Sequence, residues 1–115
     1  MAMAILELPV RERGVCCAPA LPMPAKKAGE LAGVLKALAD PTRLQMALIL
    51  RDSKEPVCVC DLSGAFDLSQ PTVWHHMAKL REAGLVDCEK RGIYAFYWLR
   101  KDLTPAQRAL IEALA

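Results

Sequence analysis

The stretch LSQPTVWHHMAKLREAGLV, residues 68–86, decides the fold of this chain. It predicts a long helix from about Gln70 to Ala83, with Ser69 as its N-cap, because a serine hydroxyl accepts a hydrogen bond from the first turn. Pro71 fits that turn, where a backbone N–H has no partner within the helix. Gly84 is placed to end the helix in the left-handed conformation that glycine tolerates. Both ends of one helix are therefore predicted.

A second, shorter helix is predicted directly before the long one, at Leu62–Phe66. Val57–Cys60 alternates in residue type, which predicts a short extended segment, and Cys60 or Asp61 is the expected N-cap. The pair Asp67-Leu68 then forms a tight turn. A helix, a short turn and a second helix make a helix-turn-helix, whose second helix enters the major groove in DNA-binding domains.

Two strands are predicted after the long helix, at Leu85–Cys88 and Ile93–Leu99, joined by a Glu-Lys-Arg-Gly turn. The second helix of a helix-turn-helix, which contacts the bases, is here called the reading helix. A basic β-hairpin directly after it is termed a wing. Apolar periodicity predicts helices over residues 26–39 and from Pro41 to about Arg51. Asp40 is the expected N-cap of the second of these, and Pro105 starts a last helix. The predicted fold is mainly α (α+β): a winged helix-turn-helix with about five helices and a two-stranded β-wing.

The chain of 115 residues has the length of one small domain. Residues 1–25 are predicted to form a flexible, proline-rich tail that carries Cys16 and Cys17, and residues 26–115 a DNA-binding and dimerisation domain. The predicted apolar stripes of the first and last helices are Leu31, Val34, Leu35 and Leu38, and Ala109, Leu110, Ala113 and Leu114. Because a small domain buries only a modest share of its surface, we expect a homodimer in which a second copy covers the last helix.

Composition limits the classes of protein to which the chain can belong. No apolar run approaches the ~20 residues of a membrane span, and no signal-peptide pattern is seen, so we expect a cytoplasmic protein without a membrane partner. The five cysteines then face a reducing compartment, which favours metal binding or redox chemistry over structural disulfides. Residues 69–101 carry six Lys or Arg against three Asp or Glu, which favours a nucleic-acid partner.

The long helix and the wing carry the residues expected to contact double-stranded DNA. Gln70 can pair with adenine through its amide, and Thr72 can contact a thymine methyl group or a phosphate. Arg91 at the wing tip can enter a minor groove or bind a phosphate. His75 and His76 are interpreted as DNA contacts rather than metal ligands, because neighbouring helical residues point about 100° apart. The full predicted set is Ser69, Gln70, Thr72, Val73, His75, His76, Lys79 and Arg91. Trp74 and His75 are expected near the wall of the groove, and Val73 also shares with Met77 and Leu80 an apolar stripe predicted to be core.

Two pairs of cysteines form the second candidate site. Cys58 and Cys60 share a face in an extended segment, and the positive end of the following helix is expected to lower the pKa of a thiol there. Thiolates bind soft metal ions, and Cys16 and Cys17 can add further ligands from the tail. Three thiolates suit As(III) or Sb(III), whereas four suit Cd(II), Pb(II) or Zn(II). Cys88, in the first wing strand, is predicted to be an ordinary core residue.

Taken together, these segments resemble the ArsR/SmtB family of metal-responsive winged-helix repressors. The resemblance extends from Leu31 to Leu99 and includes KALADPTRL at 36–44, VCVCDL at 57–62, residues 68–86 and YAFYWL at 94–99. It implies a homodimer built from the first and last helices that binds a palindromic operator. It also implies repression of a resistance operon, relieved when metal binds.

The Cys-Val-Cys-Asp-Leu segment is similar to that of the arsenic and the cadmium/lead sensors of this family. In the best-known arsenic pattern a third cysteine follows Leu62, where this chain has Ser63. One arsenic-sensing branch carries an N-terminal Cys-Cys pair, which GVCCAP at residues 14–19 resembles. Other branches place zinc ligands, several of them histidines, on the last helix. This chain has no histidine there, so the resemblance implies no zinc site on that helix.

The sequence therefore predicts an arsenite-responsive, As(III)/Sb(III)-binding transcriptional repressor of a metalloid-resistance operon. The predicted ligands are Cys16, Cys17 and one or both of Cys58 and Cys60. Two alternatives are a Cd(II)/Pb(II) sensor that uses all four thiolates and a redox-sensing repressor that forms a disulfide. A thiol enzyme such as an arsenate reductase is disfavoured, because no phosphate-cradling loop is present and no base lies near Cys16. The chain is therefore predicted not to be an enzyme.

Overall fold

The computed structural model describes residues 6–115, so residues 1–5 of the predicted tail lie outside the described part. The described residues contain five helices and one three-stranded sheet. In chain order the elements are α1 (Ala25–Leu38), α2 (Pro41–Asp52), β1 (Val57–Cys58), α3 (Val59–Phe66), α4 (Gln70–Glu82), β2 (Val86–Arg91), β3 (Tyr94–Leu99) and α5 (Pro105–Ala113). Residues 6–24 form no helix or strand and are exposed. Among the described helices, none has the length and apolar character needed to cross a membrane.

The predicted signals at the ends of α2 and α4 are confirmed. At the start of α2, the Asp40 carboxylate accepts a hydrogen bond from the backbone N–H of Arg43 at 2.9 Å. At the start of α4, the Ser69 hydroxyl accepts one from the backbone N–H of Thr72 at 3.3 Å. Gly84 follows the end of α4 with a φ of 83°, a left-handed conformation that a side chain would strain. Local capping chemistry therefore fixes where the reading helix α4 begins and ends.

The predicted helix-turn-helix is formed by α3, a short turn and α4. Asp67 ends α3 with a φ of 52°, in the left-handed region that aspartate tolerates better than most residues. The two helices share one core, to which α3 contributes Leu62 and α4 contributes Val73, Met77 and Leu80. Because these side chains are at most 1% exposed, a displacement of α3 acts on α4 through packed atoms.

The start of α3 differs from the prediction. The N-cap expected at Cys60 or Asp61 lies at Cys58, and the helix begins at Val59. The reason is tertiary, because β1 pairs with β3 and this pairing ends at Cys58. From there the Cys58 sulfur accepts a hydrogen bond from the backbone N–H of Cys60 at 3.4 Å. The extended segment is therefore only two residues long, and the helix starts three residues earlier than expected.

The sheet is antiparallel, with strand order β1-β3-β2, and β2 and β3 form the wing. β2 continues beyond Cys88, where it was expected to end, because all of Val86–Arg91 pairs with β3. The turn is correspondingly short, and Gly92 in it has a φ of 61°. β1 adds a third strand on the other side of β3, so one sheet connects the Cys58 segment to the wing.

Part of the apolar stripe of α1 is uncovered. Val34 and Leu38 are buried in the core, Leu31 is half-buried, and Leu35 is 49% exposed. The stripe predicted for the core therefore divides into an inward part and an outward part. The outward part leaves apolar side-chain surface in contact with solvent.

The face of α5 that packs on the core of its own protomer is centred on a residue outside the predicted stripe, which a second copy was expected to cover. Its buried residue is Ile111, whereas Ala109 and Ala113 are exposed, and Leu110 and Leu114 are half-buried. The orientation follows from contact with α2, whose Arg51 donates hydrogen bonds to the carbonyl oxygens of Ile111, at 3.2 Å, and Leu114. Because this guanidinium holds the last turn of α5 against α2, the two alanines face outward.

Candidate nucleic-acid interface and thiol pair

The helix α4 presents several of the residues predicted to contact DNA on its outer face. Gln70, His75 and Lys79 are exposed, and Thr72 is half-buried. Gln70 is the first residue of α4, the end from which recognition helices contact base edges. An amide, an imidazole and an ammonium group therefore lie on the solvent side of one helix that is held firmly by its opposite face.

Two residues of the predicted set do not lie on the exposed face of α4. Val73 is 0% exposed in the core with Met77, so its side chain cannot contact DNA in this conformation. His76 is half-buried, and its Nδ1 atom is buried without a hydrogen-bond partner among the described residues. The rings of His75 and His76 are 6.5 Å apart and inclined by 61°. Of the two, His75 is the exposed one and is presented outward. Val73 is therefore a core residue and not a DNA contact, because it lies on the apolar stripe of α4.

Ser69 and Thr72 fix the start of the reading helix. The Ser69 hydroxyl caps the helix and lies 2.8 Å from the Thr72 hydroxyl. Each hydroxyl oxygen has two lone pairs and one proton, so this bond leaves capacity for a further partner. Ser69 therefore has a structural role in addition to any contact with DNA.

The wing brings basic residues next to α4. Arg91 at the end of β2 is exposed and lies 3.4 Å from the carboxylate of Glu89. The ammonium of Lys90 lies 5.7 Å from the centroid of the Trp74 ring on α4. Trp74 is 42% exposed and was absent from the predicted set, although a large aromatic residue outside the apolar stripe of Val73 was a usable signal.

The sulfur atoms of Cys58 and Cys60 lie 2.7 Å apart at the start of α3. We call these two residues the thiol pair. Both are free thiols, and the separation is well above the ~2.05 Å of a disulfide bond. Cys58 is buried and Cys60 is half-buried, so one side of the thiol pair is open to solvent. The prediction that both side chains point the same way is therefore confirmed.

The pKa of the Cys60 thiol is raised, in contrast to the expected lowering. The largest cause is its hydrogen bond with Cys58, followed by burial and by the negative charges that Cys58 and Asp61 can carry. Two sulfurs at this distance share a proton more readily than they both ionise. The neighbouring thiol therefore outweighs the helix dipole, and binding of a metal ion by both sulfurs must release protons.

The structure brings together two of the four predicted ligands. Cys16 and Cys17 are exposed within residues 6–24. Over residues 6–115, no three His, Cys, Asp or Glu side chains lie close enough to hold a metal ion. The thiol pair alone is thus an incomplete site, and any further ligand must move towards it.

Ser63 connects α3 to the start of α4. Its carbonyl oxygen accepts hydrogen bonds from the backbone N–H groups of Asp67 and Leu68, the second at 3.1 Å. Its hydroxyl donates to the carbonyl oxygen of Leu68. Because Leu68 precedes the N-cap Ser69, one residue on the thiol-bearing helix holds the turn that leads into α4.

Cys88 is half-buried on β2, where it lies opposite Tyr97 of β3 and packs against the core. This placement agrees with its prediction as a core residue. The pKa of Tyr97 is raised, first by burial and then by the nearby Cys88 thiol.

Comparison with known proteins identifies the family. The model for "Bacterial regulatory protein, arsR family" matches residues 40–87, from the cap of α2 to β2. The arsenical resistance operon repressor of Escherichia coli K12 is 45% identical over 78 residues, which cover 68% of this chain and 65% of that protein. The cadmium resistance regulatory protein CadC of Listeria innocua is 34% identical over 70 residues, which cover 61% and 58%. The match thus spans under two thirds of each of these relatives.

Two further relatives match over more of their length. The biofilm growth-associated repressor of Agrobacterium fabrum is 42% identical over 96 residues, covering 82% of this chain and 78% of that protein. The structure of HlyU from Vibrio cholerae N16961 superposes with a TM-score of 0.65 at 34% identity, covering 76% and 90%. The resemblance seen in the sequence is confirmed: the chain belongs to the arsR family of bacterial regulatory proteins, a family of DNA-binding regulators rather than enzymes.

Proposed function

We propose that the chain is an arsenite-responsive repressor of a metalloid-resistance operon. In this proposal a homodimer binds a palindromic operator through α4 and the wing, and releases it when As(III) or Sb(III) binds. The observation that carries the proposal is the thiol pair, with sulfurs 2.7 Å apart, on the helix directly before the reading helix. A switch in this position acts on the element that it has to control.

Reading of the operator is assigned to the outer face of α4 and to the wing. Gln70 faces base edges from the first turn of α4, and His75 and Lys79 extend the contact along the groove. Arg91 supplies positive charge from the wing to a minor groove or a phosphate. Thr72 contributes its methyl group or hydroxyl. A dimer carries two such surfaces, which is why a palindromic operator is expected. This function places the protein in the cytoplasm, with the DNA.

A soft ion at the thiol pair acts directly on the start of α3. Two thiolates at ~2.3 Å from one tetrahedral ion of zinc's size lie about 3.8 Å apart. The Cys58 sulfur caps α3 by accepting a hydrogen bond from the backbone N–H of Cys60. An ion that takes this sulfur as a ligand competes with the cap, so we expect metal binding to change the start of α3.

The remaining ligands are assigned to the tail. Cys16 and Cys17 are exposed and belong to a segment without helix or strand, so the cost of moving them is low. Together with one or both of Cys58 and Cys60 they supply at least the three thiolates that As(III) or Sb(III) needs. The chain's similarity to a repressor of arsenical resistance supports this choice of effector.

Transmission to the DNA is assigned to Ser63. Movement of α3 changes the hydrogen bonds that Ser63 makes with Leu68, and therefore the orientation at which α4 leaves the turn. Two reading helices in a dimer must keep one spacing to fit successive major grooves. A rotation of each α4 therefore weakens operator binding, and by linkage DNA weakens metal binding to the same extent.

A Cd(II)/Pb(II) sensor is the second candidate. It is favoured by the similarity to CadC and by the presence of four thiols, the number that suits a tetrahedral ion. Both sensors use the same cysteines, so the ion that releases the DNA distinguishes them. A redox-sensing repressor is the third candidate, because sulfurs 2.7 Å apart are close enough to join by oxidation.

The test is fluorescence anisotropy of the reduced protein on DNA from upstream of its own gene. A phosphine reductant is used with arsenite and Cd(II), because thiol reductants compete for arsenite. The peroxide titration starts from reduced protein freed of reductant, because a phosphine consumes peroxide. Arsenite, Cd(II) and peroxide are titrated in parallel on the parent, the Cys16→Ser/Cys17→Ser variant and the Cys58→Ser/Cys60→Ser variant. Cys88→Ser is the matched control, since that half-buried thiol lies outside the proposed site.

Release by arsenite that is lost in both double variants, and kept in Cys88→Ser, supports the arsenite sensor. Release by Cd(II) alone supports the second candidate, and release by peroxide that a phosphine reverses supports the third. Tight operator binding that none of the three changes would overturn a switching role for these cysteines.

A further inference from the structure

Trp74 and Lys90 connect the reading helix to the wing. Trp74 projects from the side of α4 that faces the wing and is 42% exposed. The ammonium of Lys90, on β2, lies 5.7 Å from the centroid of its ring, within the range of a cation–π contact. Tryptophan is enriched at interfaces, because its ring supplies apolar contact area while its N–H can donate a hydrogen bond to a partner.

The contact lies at the edge of a groove between α4 and the wing. The groove has a volume of about 460 Å³. Its lining residues are Trp74, Ala78, Arg81, Glu82, Cys88 and Tyr97. Arg81 and Glu82 both line this groove, and Lys90 is the residue whose ammonium lies near the indole.

The geometry of DNA determines which part of the duplex lies opposite residues between α4 and the wing. A major groove and the neighbouring minor groove are separated by one sugar-phosphate strand. A protein that places α4 in the first and the wing in the second therefore straddles that strand. Residues located between α4 and the wing, as Trp74 and Lys90 are, face its phosphates.

We infer that Trp74 and Lys90 form one phosphate-binding unit, which rests on the proposed binding of operator DNA. The indole N–H donates a hydrogen bond to a phosphate oxygen, and the Lys90 ammonium neutralises the phosphate charge. The ring face holds the lysine side chain near its bound position, so less rotamer freedom is lost when DNA binds.

Lys90 is better placed for this role than its neighbour Arg91. The Arg91 guanidinium lies 3.4 Å from the Glu89 carboxylate, so part of its charge is balanced within the wing. No carboxylate within residues 6–115 pairs with Lys90 in this way. Its ammonium is therefore available to a phosphate without breaking an ion pair.

The test measures operator affinity of the full chain against salt concentration. Variants are Trp74→Phe, which keeps a ring but loses the N–H, Trp74→Ala and Lys90→Gln, with the double variant Trp74→Ala/Lys90→Gln. Trp98→Phe and Lys54→Gln are the matched controls, because both residues lie away from α4, beside the end of α2 and β3. Thermal melting of each variant confirms that the fold is kept.

We expect Lys90→Gln to reduce the slope of log K against log salt by about 0.9 for each half-site, the value for one phosphate. Trp74→Phe should keep the slope and weaken binding roughly three- to tenfold, as for loss of one hydrogen bond. Trp74→Ala and Lys90→Gln should be less than additive, since each removes part of the same unit. In a Trp98→Phe background, the emission of Trp74 should change when DNA binds.

An unchanged salt slope in Lys90→Gln, or strictly additive effects of the two substitutions, would overturn the inference while leaving operator binding intact. Failure of the unchanged protein to bind the operator would instead overturn the proposed function, and the phosphate contact with it. A similar loss of affinity in Trp98→Phe or Lys54→Gln would show a general effect on folding or charge, and would also count against the unit.

Discussion

The hydroxyl of Ser63 donates a hydrogen bond to the carbonyl oxygen of Leu68, across the turn between the thiol-bearing helix and the reading helix. Leu68 in turn donates its backbone N–H to the Ser63 carbonyl at 3.1 Å, so the two residues are joined twice. Ser63 stands where the best-known arsenic pattern has a third cysteine. In this chain the position therefore serves to hold the turn rather than to bind a metal.

Removal of this hydroxyl should loosen the link between the two helices. We expect Ser63→Ala to lower the free energy of unfolding by about 1 kcal/mol, as for one lost intramolecular hydrogen bond. Operator affinity should fall several-fold, while arsenite binding to the protein alone stays unchanged because no ligand is lost. Urea unfolding and anisotropy measure the two effects.

Ser53→Ala is the matched control, because the Ser53 hydroxyl donates to a backbone carbonyl, that of Ile49, at 2.6 Å on the end of α2. It should be destabilising to a similar degree without affecting operator affinity. Equal losses of affinity in the two variants would mean that Ser63 has no special connection to the reading helix.

The cap of α2 should make stability depend on pH. The hydrogen bond from the backbone N–H of Arg43 lowers the pKa of Asp40 in the folded state. A lowered pKa contributes stability that is fully present above the unfolded value of about 3.9, and is lost as the pH falls through the folded pKa. Asp40→Asn keeps a capping oxygen but cannot titrate.

We therefore expect the parent to lose more stability than Asp40→Asn between pH 5 and pH 2.5, measured as the shift of the urea midpoint. Asp52 and Asp102 also have lowered pKa values, because of hydrogen bonds from Arg51 and Arg100, and they titrate in both proteins. The difference between the two proteins thus reports Asp40 alone. Parallel pH profiles would contradict this assignment.

The uncovered side of α1 should be part of the proposed dimer interface. Leu35 is 49% exposed beside the half-buried Leu31, and a second copy is the occupant that the proposed function requires. Leu35→Asp should shift the protein towards monomer in sedimentation experiments. Operator affinity should fall roughly a hundredfold or more, because two half-sites are no longer bound as one unit.

Leu8→Asp provides the comparison, since Leu8 is 81% exposed in the segment before α1. This variant should remain dimeric and bind the operator normally. A dimer that persists in Leu35→Asp, with unchanged affinity, would place the interface on another surface.

Local chemistry explains which parts of the fold could be predicted. Ser69, Asp40 and Gly84 act within a few residues of their own position, so their roles were visible in the sequence. The cap at Cys58 was missed because it depends on pairing between β1 and β3, residues far apart in the chain. The burial of Ile111 was not predicted for a similar reason, since Arg51 orients α5 from another helix.

The candidate site likewise has features that could be predicted from the sequence and features that could not. Cys58 and Cys60 point the same way as predicted, although Cys58 is the N-cap and Cys60 lies in the first turn of α3 rather than both being in an extended segment. The raised pKa of Cys60 depends on its contact with Cys58, which no sequence pattern gives. Val73 fits both the predicted apolar stripe and the predicted set of DNA contacts, and its burial shows that it is a core residue. The sequence predicts Trp74 only near the wall of the groove, and its contact with Lys90 could not be predicted because Lys90 lies on a different element.

Introduction of a cysteine at position 63 should change how the effector is held. Position 63 lies three residues after Cys60, on the same face of α3, so Ser63→Cys adds a thiol next to the thiol pair. In a Cys16→Ser/Cys17→Ser background, which should respond weakly to arsenite, we expect Ser63→Cys to restore release of the operator. Three thiolates are then available without the tail. Affinity for DNA without arsenite should fall as in Ser63→Ala, because the bond to Leu68 is weakened.

Ala65→Cys in the same background is the control, because Ala65 is exposed on α3 but lies five residues after Cys60, on another face. It should not restore the response. Equal restoration by both variants would mean that any added thiol suffices. No restoration by a folded, operator-binding Ser63→Cys protein would mean that the start of α3 is not where arsenite acts.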